Sequence, residues 1–202
     1  MKDVERANIL FGGRRAALAE LEIALGKVSG TATMLDVGTG RGDIPASAVA
    51  MAKSMGITLR TIGIDMSLPL VTEVRNGNDH VVRGNALALP FRDKSVDIVL
   101  ASQILHHFTD ESAAAFIQEM NRVARFSVVI SDLKRSLIAA AGLWLGSFPL
   151  GFHPVSRHDG VVSVMRGFLP LELADLVERA TGLRPPVHRR LGFRVTTSWI
   201  PG

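Results

Sequence analysis

The sequence contains no cysteine and no tyrosine. Without cysteine, the chain has no thiolate zinc site, no disulfide framework and no cysteine nucleophile, and it is compatible with a reducing cytoplasm. Without tyrosine, another of the usual acid–base side chains is missing. Any chemistry must therefore come from His, Asp, Glu, Lys, Ser or Thr side chains, or from a bound cofactor.

Long hydrophobic runs are missing as well. The most extended apolar stretch, residues 137–152, contains Gly142, Gly146 and Pro149 and is shorter than the about 20 residues that a membrane-spanning helix needs. The first 30 residues mix both charge signs and lack an apolar centre, so no secretory leader is predicted. We expect a cytoplasmic protein without a membrane span, while contact of the apolar stretch with a membrane surface stays open.

The sequence also has only a small excess of positive charge, because 23 Lys and Arg residues are nearly balanced by 19 Asp and Glu residues. The high sequence pI of about 10.1 reflects the Arg-rich composition and the lack of Cys and Tyr, which would titrate at roughly pH 8 to 10. Only in the segment 184–194 are all the charged side chains basic. A nucleic-acid partner is therefore not expected, and a homodimer is left open.

Short β-branched runs alternate with helical patterns from Met34 onward, which is typical of a parallel sheet with crossover helices. The patterns predict an α/β fold: a Rossmann-like, seven-stranded, mostly parallel sheet with a C-terminal antiparallel hairpin and helices on both faces. The predicted strands are residues 34–37, 59–65, 80–84, 96–101, 127–131, 187–190 and 193–200. The predicted helices are residues 44–55, a segment after Ser67, 110–124 and 169–181.

Two segments lie outside this alternation. Residues 1–33 are predicted to be an N-terminal helical segment, interrupted at residues 11–13, that contributes to a substrate cap. Residues 34–202 form the main domain, with a lid-like insertion at residues 134–167.

The most informative motif is Leu-Asp-Val-Gly-Thr-Gly-Arg-Gly-Asp at residues 35–43. A strand there runs into three alternate glycines and then a helix, so bare backbone can approach a ligand at the strand end. A dinucleotide site is disfavoured, because Asp43 stands where the last glycine of that fingerprint belongs and would repel a pyrophosphate. The phosphate-binding pattern G-x-x-x-x-G-K-[ST] does not occur in the sequence. A phosphate-free, positively charged ligand fits better.

Three further segments follow in order: Ile-Gly-Ile-Asp-Met-Ser at 62–67, Gly-Asn-Ala-Leu-Ala-Leu-Pro-Phe at 84–91 and Ala-Ser-Gln at 101–103. With the glycine motif, they resemble the class I S-adenosylmethionine-dependent methyltransferases. The similarity is greatest to the small-molecule group that includes the ubiquinone/menaquinone-biosynthesis enzymes and natural-product O-methyltransferases. Taken singly, each segment has a structural interpretation: a tight turn, a helix cap at Asp65, or a loop that packs its leucines.

The resemblance implies S-adenosylmethionine as the cofactor. Asp65 would accept the ribose hydroxyls, and Asn85 stands where the family commonly has Asp, which keeps an acceptor for the adenine amino group but loses a charge. The cofactor-binding residues implied by the family's motifs are Asp36, Gly38, Thr39, Gly40, Gly42, Asp65, Met66, Asn85, Ala86, Leu87, Ser102 and Gln103.

The candidate catalytic residues are His106 and His107, directly after the fourth strand, and Asp132, after the fifth. Methyl transfer depends mainly on alignment in a dry site, but a histidine near a phenol or hydroxyl acceptor would assist by removing its proton. The alternatives are that a histidine only caps the following helix and Asp132 satisfies a turn. A metal site is disfavoured, because no carboxylate or further histidine lies at ligand spacing in that segment, and no metal is expected.

The insertion combines apolar and polar side chains. We expect it to cover the acceptor and to provide the substrate-binding residues Trp144, Phe148, His153, Arg157 and His158. Such a pocket suits an aromatic or acyl-bearing molecule. The alternatives are a dimer contact or a helical hairpin packed on the sheet.

The function expected from the resemblance is S-adenosylmethionine-dependent methyl transfer to a small lipophilic phenol, quinone or polyketide. The methyl acceptor is expected to be an oxygen, with a carbon as the second choice. Methylation of RNA or protein is one alternative, and a non-catalytic S-adenosylmethionine-binding protein of the same fold is another.

Overall fold

A computed structural model describes residues 12–67 and 79–202. The strands in these ranges are β1 Thr31–Val37, β2 Thr58–Asp65, β3 His80–Arg83, β4 Val96–Ser102, β5 Ala124–Leu133, β6 Val187–Arg190 and β7 Arg194–Trp199. The α-helices are α1 Gly13–Leu25, α2 Asp43–Ser54, α3 Asp110–Val123, α4 Leu137–Gly146, α5 Pro154–Met165 and α6 Pro170–Thr181. A short 3-10 helix, Leu105–His107, follows β4.

All seven strands belong to one sheet with the order β3-β2-β1-β4-β5-β7-β6. The first five strands pair in parallel, β7 runs antiparallel to β5, and β6 runs antiparallel to β7. The predicted Rossmann-like sheet with its C-terminal antiparallel hairpin is therefore confirmed. The carboxyl ends of the parallel strands share one edge, and the first residue of β7 lies at that same edge because β7 runs in the opposite direction.

Helices cover both faces of the sheet, as predicted. Alternate residues of the central strands point to opposite faces. Leu35 of β1 and Val99 of β4 belong to the cluster that packs under α3 and α6, whereas Met34 and Ile98 belong to the cluster under α1 and α2. The residues of β4 from Val96 to Ala101 are buried throughout, which explains their almost unbroken apolar pattern.

The structure differs from the predicted boundaries at several places. Strand β1 starts at Thr31, so the predicted boundary between residues 33 and 34 falls inside a strand. Strand β5 starts at Ala124, because α3 runs directly into it. Helix α1 packs against the sheet and α2, and none of its residues lines the cavity described below. The predicted helix after Ser67 begins within residues 68–78, which lie outside the described residues, as do residues 1–11 of the predicted cap.

The insertion forms a hairpin of two helices, α4 and α5, that pack against each other. A small apolar cluster holds them together, and Gly160 of α5 allows close contact, because a Cβ there would lie 2.8 Å from a methyl carbon of Leu143. The two ends of the insertion are adjacent: Lys134 and Phe168 form a parallel bridge at the end of β5.

Within the described ranges, no helix is both long enough and apolar enough to cross a lipid bilayer.

Candidate active site

A cavity of about 700 Å³ opens at the carboxyl edge of the sheet. Its floor is built from the residues that follow β1 and β4 and from the edge residues of β5 and β7. Its wall on the far side is the α4–α5 hairpin, which contributes mainly apolar or small side chains. This is the edge at which open α/β sheets bind their ligands.

The glycine motif forms the cavity floor next to β1. Gly38, Gly40 and Gly42 have φ values of 73°, 53° and 73°, which side chains with a Cβ adopt only under strain. A Cβ on Gly38 would also lie 2.6 Å from the Cδ1 atom of Ile104. Gly38 and Gly40 line the cavity with Thr39, whereas Gly42 starts α2 as its N-cap. The loop therefore presents backbone to the cavity, and there is no room for a side chain at Gly38.

Two carboxylates flank this loop. Asp36 is buried at the cavity, and its pKa is raised to about 7. Burial is the largest cause, the charges of Asp43 and Asp65 raise the pKa as well, and a hydrogen bond from the Thr39 side chain opposes them. Asp65, at the end of β2, accepts hydrogen bonds from the amides of Gly40 and Ser67. The Asp65 carboxylate thus links the glycine loop to the end of β2.

The segment after β3 forms a turn. The Oδ1 atom of Asn85 accepts a hydrogen bond from the Leu87 amide at 3.0 Å, and Asn85 bridges to Ala88. Gly84 is required there, because a Cβ would lie 2.5 Å from the Cδ1 atom of Ile64. Met66 and Leu87 are exposed, so this part of the predicted cofactor site lies at the surface beyond β2 and not among the residues that line the cavity.

The end of β4 brings three predicted residues to the cavity: Ser102, Gln103 and His106. Gln103 has a left-handed backbone with φ of 56°, and its amide donates to the Ser131 carbonyl oxygen at 2.8 Å. The hydroxyl of Ser102 is buried without a hydrogen-bond partner in the described part of the chain. A buried hydroxyl of this kind at a cavity wall is suited to a ligand contact.

His106 and Asp132 form a buried pair. The Nδ1 atom of His106 lies 2.6 Å from the Oδ1 atom of Asp132. Asp132 also accepts hydrogen bonds from the backbone amides of Leu133 and His106. Because these bonds fix the Asp132 carboxylate, they fix the orientation of the imidazole that it contacts. The sequence predicted both residues, and the structure brings them together.

His107 lies at the cavity wall beside this pair, with its ring centroid 4.2 Å from that of His106. Partial desolvation and then the neighbouring His106 lower the pKa of its imidazole. His107 is therefore kept neutral at lower pH than a free histidine.

The five substrate-binding residues predicted in the insertion do not line the cavity. Trp144 and Phe148 contact each other and are about half exposed. Arg157 stacks on Phe148 and donates to the Ser147 hydroxyl, while His153 caps α5. His158 is an exposed residue of α5. The hairpin instead faces the cavity with other residues of the same two helices: Ile138, Ala139, Gly142, Leu143, Ser156, Asp159, Gly160, Ser163 and Val164.

Sequence reasoning did not identify Arg194 as a residue of the cavity. The sequence places it in a segment whose charges are all basic, but its side chain is buried at the cavity wall. Burial lowers the pKa of its guanidinium to about 10, and the charge of Asp132 opposes this shift. The available signal was its position at the start of a C-terminal antiparallel strand, which places it at the ligand-binding edge of the sheet.

The residues at the cavity fit a phosphate-free cofactor that carries positive charge. The glycine loop excludes a Cβ, the Asp36 carboxylate beside it is buried, and Ser102 offers a hydroxyl without a partner in the described part of the chain. S-adenosylmethionine, with its sulfonium and its ribose, matches this set of groups.

Comparison with known proteins agrees with the site. Residues 35–129 match the family described as "Methyltransferase domain". Magnesium protoporphyrin IX methyltransferase from Synechocystis PCC 6803, solved with bound S-adenosylhomocysteine, has the same fold: its TM-score is 0.63 at 16% identity, covering 98% of this chain and 87% of that one. Demethylmenaquinone methyltransferase from Roseiflexus sp. (strain RS-1) is 29% identical over 187 residues, or 85% of this chain and 76% of that protein. The family match over residues 35–129 and these likenesses support a class I S-adenosylmethionine-dependent methyltransferase.

Within that class, a second sequence relative carries the same name. Demethylmenaquinone methyltransferase from Roseiflexus castenholzii is 34% identical over 116 residues, which cover 55% of this chain and 46% of that protein.

Proposed function

We propose that this methyltransferase transfers a methyl group to a hydroxyl oxygen of a small lipophilic phenol or quinol, with a ring carbon as the second choice. One observation carries the proposal: His106, paired with the buried Asp132, lines a largely apolar cavity that the glycine loop also lines. A proton acceptor and a cofactor loop therefore share one sheltered space.

The cofactor-binding roles implied by the sequence are part of this proposal. The bound cofactor supplies an electrophilic methyl group on a cationic sulfur. In this proposal the loop at Gly38, Thr39, Gly40 and Gly42 lies against the ligand, and Asp65 accepts the ribose hydroxyls. Asp36, Ser102 and Gln103 contact the methionine part. Met66 and the turn of Asn85, Ala86 and Leu87 hold the adenine.

We assign the role of general base to His106. Because Asp132 occupies Nδ1, the acceptor proton goes to Nε2 of the same ring, and Asp132 stabilises the resulting imidazolium. The acceptor oxygen would take the methyl group that the bound cofactor supplies, and the electron pair of the broken carbon–sulfur bond would stay on sulfur. Asp132 acts here as a positioning residue. His107, neutral beside His106, is the second candidate base.

The apolar wall supports a lipophilic acceptor. Leu143 and Phe152 of the insertion line the cavity together with Leu133 of β5. The relatives named demethylmenaquinone methyltransferase support a quinol in particular. A partner of this kind needs apolar contact and shelter from water rather than the basic channel that a nucleic acid would need.

The test is methyl transfer by the purified protein to a panel of a naphthoquinol, simple phenols and bulk tRNA, with S-adenosylhomocysteine release measured and the methylated position found by mass spectrometry. We expect turnover with the naphthoquinol or a phenol. His106→Ala and Asp132→Asn should each lower kcat by about 100-fold or more, and His107→Ala less. His188→Ala, at an exposed position of β6, is the matched control and should leave kcat unchanged.

Two results would contradict the proposal. Turnover with tRNA alone would favour the nucleic-acid alternative. Binding of S-adenosylmethionine without transfer to any acceptor of the panel would favour the non-catalytic alternative.

A further inference from the structure

Arg194 is buried at the cavity wall, with only 3% of its surface exposed. Its Nε atom and one of its terminal nitrogens are buried without a hydrogen-bond partner in the described part of the chain. A buried guanidinium usually has its donors satisfied, because desolvating an unpaired cation costs several kcal/mol. Such donors at a cavity wall indicate a missing ligand rather than a completed structural network.

Nearby carboxylates do not complete this site. Asp132 is the acid whose charge acts on Arg194, but its oxygens accept hydrogen bonds from the His106 ring and from two backbone amides. The other carboxylates that line the cavity are Asp36 and Asp43 at the β1 end and Asp159 of α5, and none of them accepts a hydrogen bond from the two unpartnered Arg194 nitrogens. The guanidinium therefore retains free donors beside a carboxylate that is already engaged.

The position of Arg194 separates it from the cofactor loop. In the sheet order, β7 is the third strand from β1, which corresponds to about 14 Å at the usual strand spacing of about 4.8 Å. Arg194 pairs with Leu133 in the register of β5 and β7, and both side chains line the cavity. The insertion leaves the sheet directly after Leu133, so Arg194 lies on the side of the cavity that the insertion covers.

We propose that Arg194 is the subsite for an anionic oxygen on the methyl acceptor, either a phenolate or the enolate-type oxygen of a quinol. This inference rests on the proposed function, since it deepens the assignment of the acceptor. The guanidinium presents several donors in a fixed plane, which matches an oxyanion better than a neutral hydroxyl. When the hydroxyl proton moves to His106, Arg194 stabilises the negative oxygen that remains, and no redox step is involved.

The subsite is compatible with both acceptor atoms. If the oxygen itself takes the methyl group, Arg194 stabilises the charge before transfer. If a ring carbon takes it, the anionic oxygen supplies electron density to the ring and stays beside the guanidinium until the bond to carbon has formed.

The experiment uses 4-nitrophenol as the probe and the protein saturated with S-adenosylhomocysteine. Because the phenolate absorbs visible light, a spectrophotometric titration measures the pKa of the bound phenol without any methyl transfer. We expect the wild type to lower that pKa, equivalent to about 10- to 100-fold preferential binding of the phenolate. Arg194→Gln should remove this preference, and Arg194→Lys should retain part of it. Arg189→Gln, on the neighbouring strand and exposed, should behave as the wild type.

A second measurement needs no variant. The wild type should bind 4-nitrophenolate more tightly than 4-nitrotoluene, which has a similar shape but no anionic oxygen. Equal affinities, or no binding of either probe, would overturn the subsite. So would an Arg194→Gln variant that loses affinity for S-adenosylhomocysteine but keeps the phenolate preference, because the guanidinium would then serve the cofactor carboxylate. If phenolate binding depends on Arg194 but no phenol or quinol is methylated, the proposed function is wrong and the anion subsite stands.

Discussion

The two ends of the cavity are built in different ways. At the β1 end, backbone determines the site: left-handed glycines, a loop held by Asp65 and a close approach of Gly38 to Ile104. At the β7 end, side chains of the hairpin, Leu133 and Arg194 determine it. Backbone geometry of this kind tolerates almost no substitution, whereas a side-chain wall changes its shape with each replacement. Under the proposed function, the end built from backbone holds the cofactor and the end built from side chains holds the acceptor.

Gly38→Ala tests this contrast with the largest expected effect. The new Cβ would both strain a backbone with φ of 73° and collide with Ile104, so we expect affinity for S-adenosylmethionine, measured by calorimetry, to fall by about 100-fold. Gly56→Ala is the matched control: its φ is 75°, but nothing lies within 4 Å of its Cβ. It should lower the melting temperature without changing cofactor affinity. Similar affinities in both variants would show that the backbone at Gly38 does not determine binding.

Measuring cofactor affinity at several pH values tests the role of the Asp36 carboxyl. Its pKa of about 7 means that the free protein loses this proton between pH 6 and 8, and a cationic ligand favours the ionised form. Affinity for S-adenosylmethionine should therefore rise by about tenfold from pH 6 to pH 8. Asp36→Asn should abolish this rise. If the affinity of the variant still rises with pH, a group other than Asp36 loses the proton.

The raised pKa of Asp36 also predicts how the stability of the folded protein changes with pH. Burial raises the pKa of Asp36 above the unfolded value, so the folded protein holds the proton more tightly. The stabilisation is complete below about pH 4 and is lost as the pH rises toward 7. In the absence of cofactor, the melting temperature of Asp36→Asn relative to the wild type should therefore increase from pH 5 to pH 8.

The smallest expected effect concerns the acceptor end. Leu143→Ala removes a side chain that lines the cavity, and we expect the KM for a lipophilic acceptor to rise by about fivefold. Trp144→Ala, one residue along the helix, removes a larger but half-exposed side chain outside the cavity and should leave KM nearly unchanged. A larger rise in KM for Trp144→Ala than for Leu143→Ala would instead place the acceptor at the surface that contains Trp144. Cofactor affinity should be unchanged in both variants.

The same contrast explains how far the sequence could be interpreted. Gly38 follows β1, Asp65 ends β2 and Asn85 follows β3, and the resemblance of their motifs to the methyltransferase family predicted them as site residues. The resemblance also implied Asp132 beside the histidine pair, and His106 and Asp132 meet because the carboxyl ends of β4 and β5 are neighbours. The face of α4 that lines the cavity could not be predicted, because the residues of this helix are apolar on every side. Ile138 and Trp144 look alike in sequence, and only packing against α5 determines which of them lines the cavity. Arg194 was missed because burial of a charge depends on tertiary contacts that a charge count does not contain.

The joined ends of the insertion have a consequence for how this enzyme can change. The Lys134 amide donates to the Phe193 carbonyl, and the Phe168 amide donates to the Leu133 carbonyl at 2.9 Å. The sheet therefore holds the exit and return points together whatever lies between them, and the entropic cost of a longer or shorter connection grows only slowly with its length. Under the proposed function, residues 135–167 can therefore be exchanged as a unit: another hairpin grafted there should change the acceptor preference, with the cofactor loop left untouched.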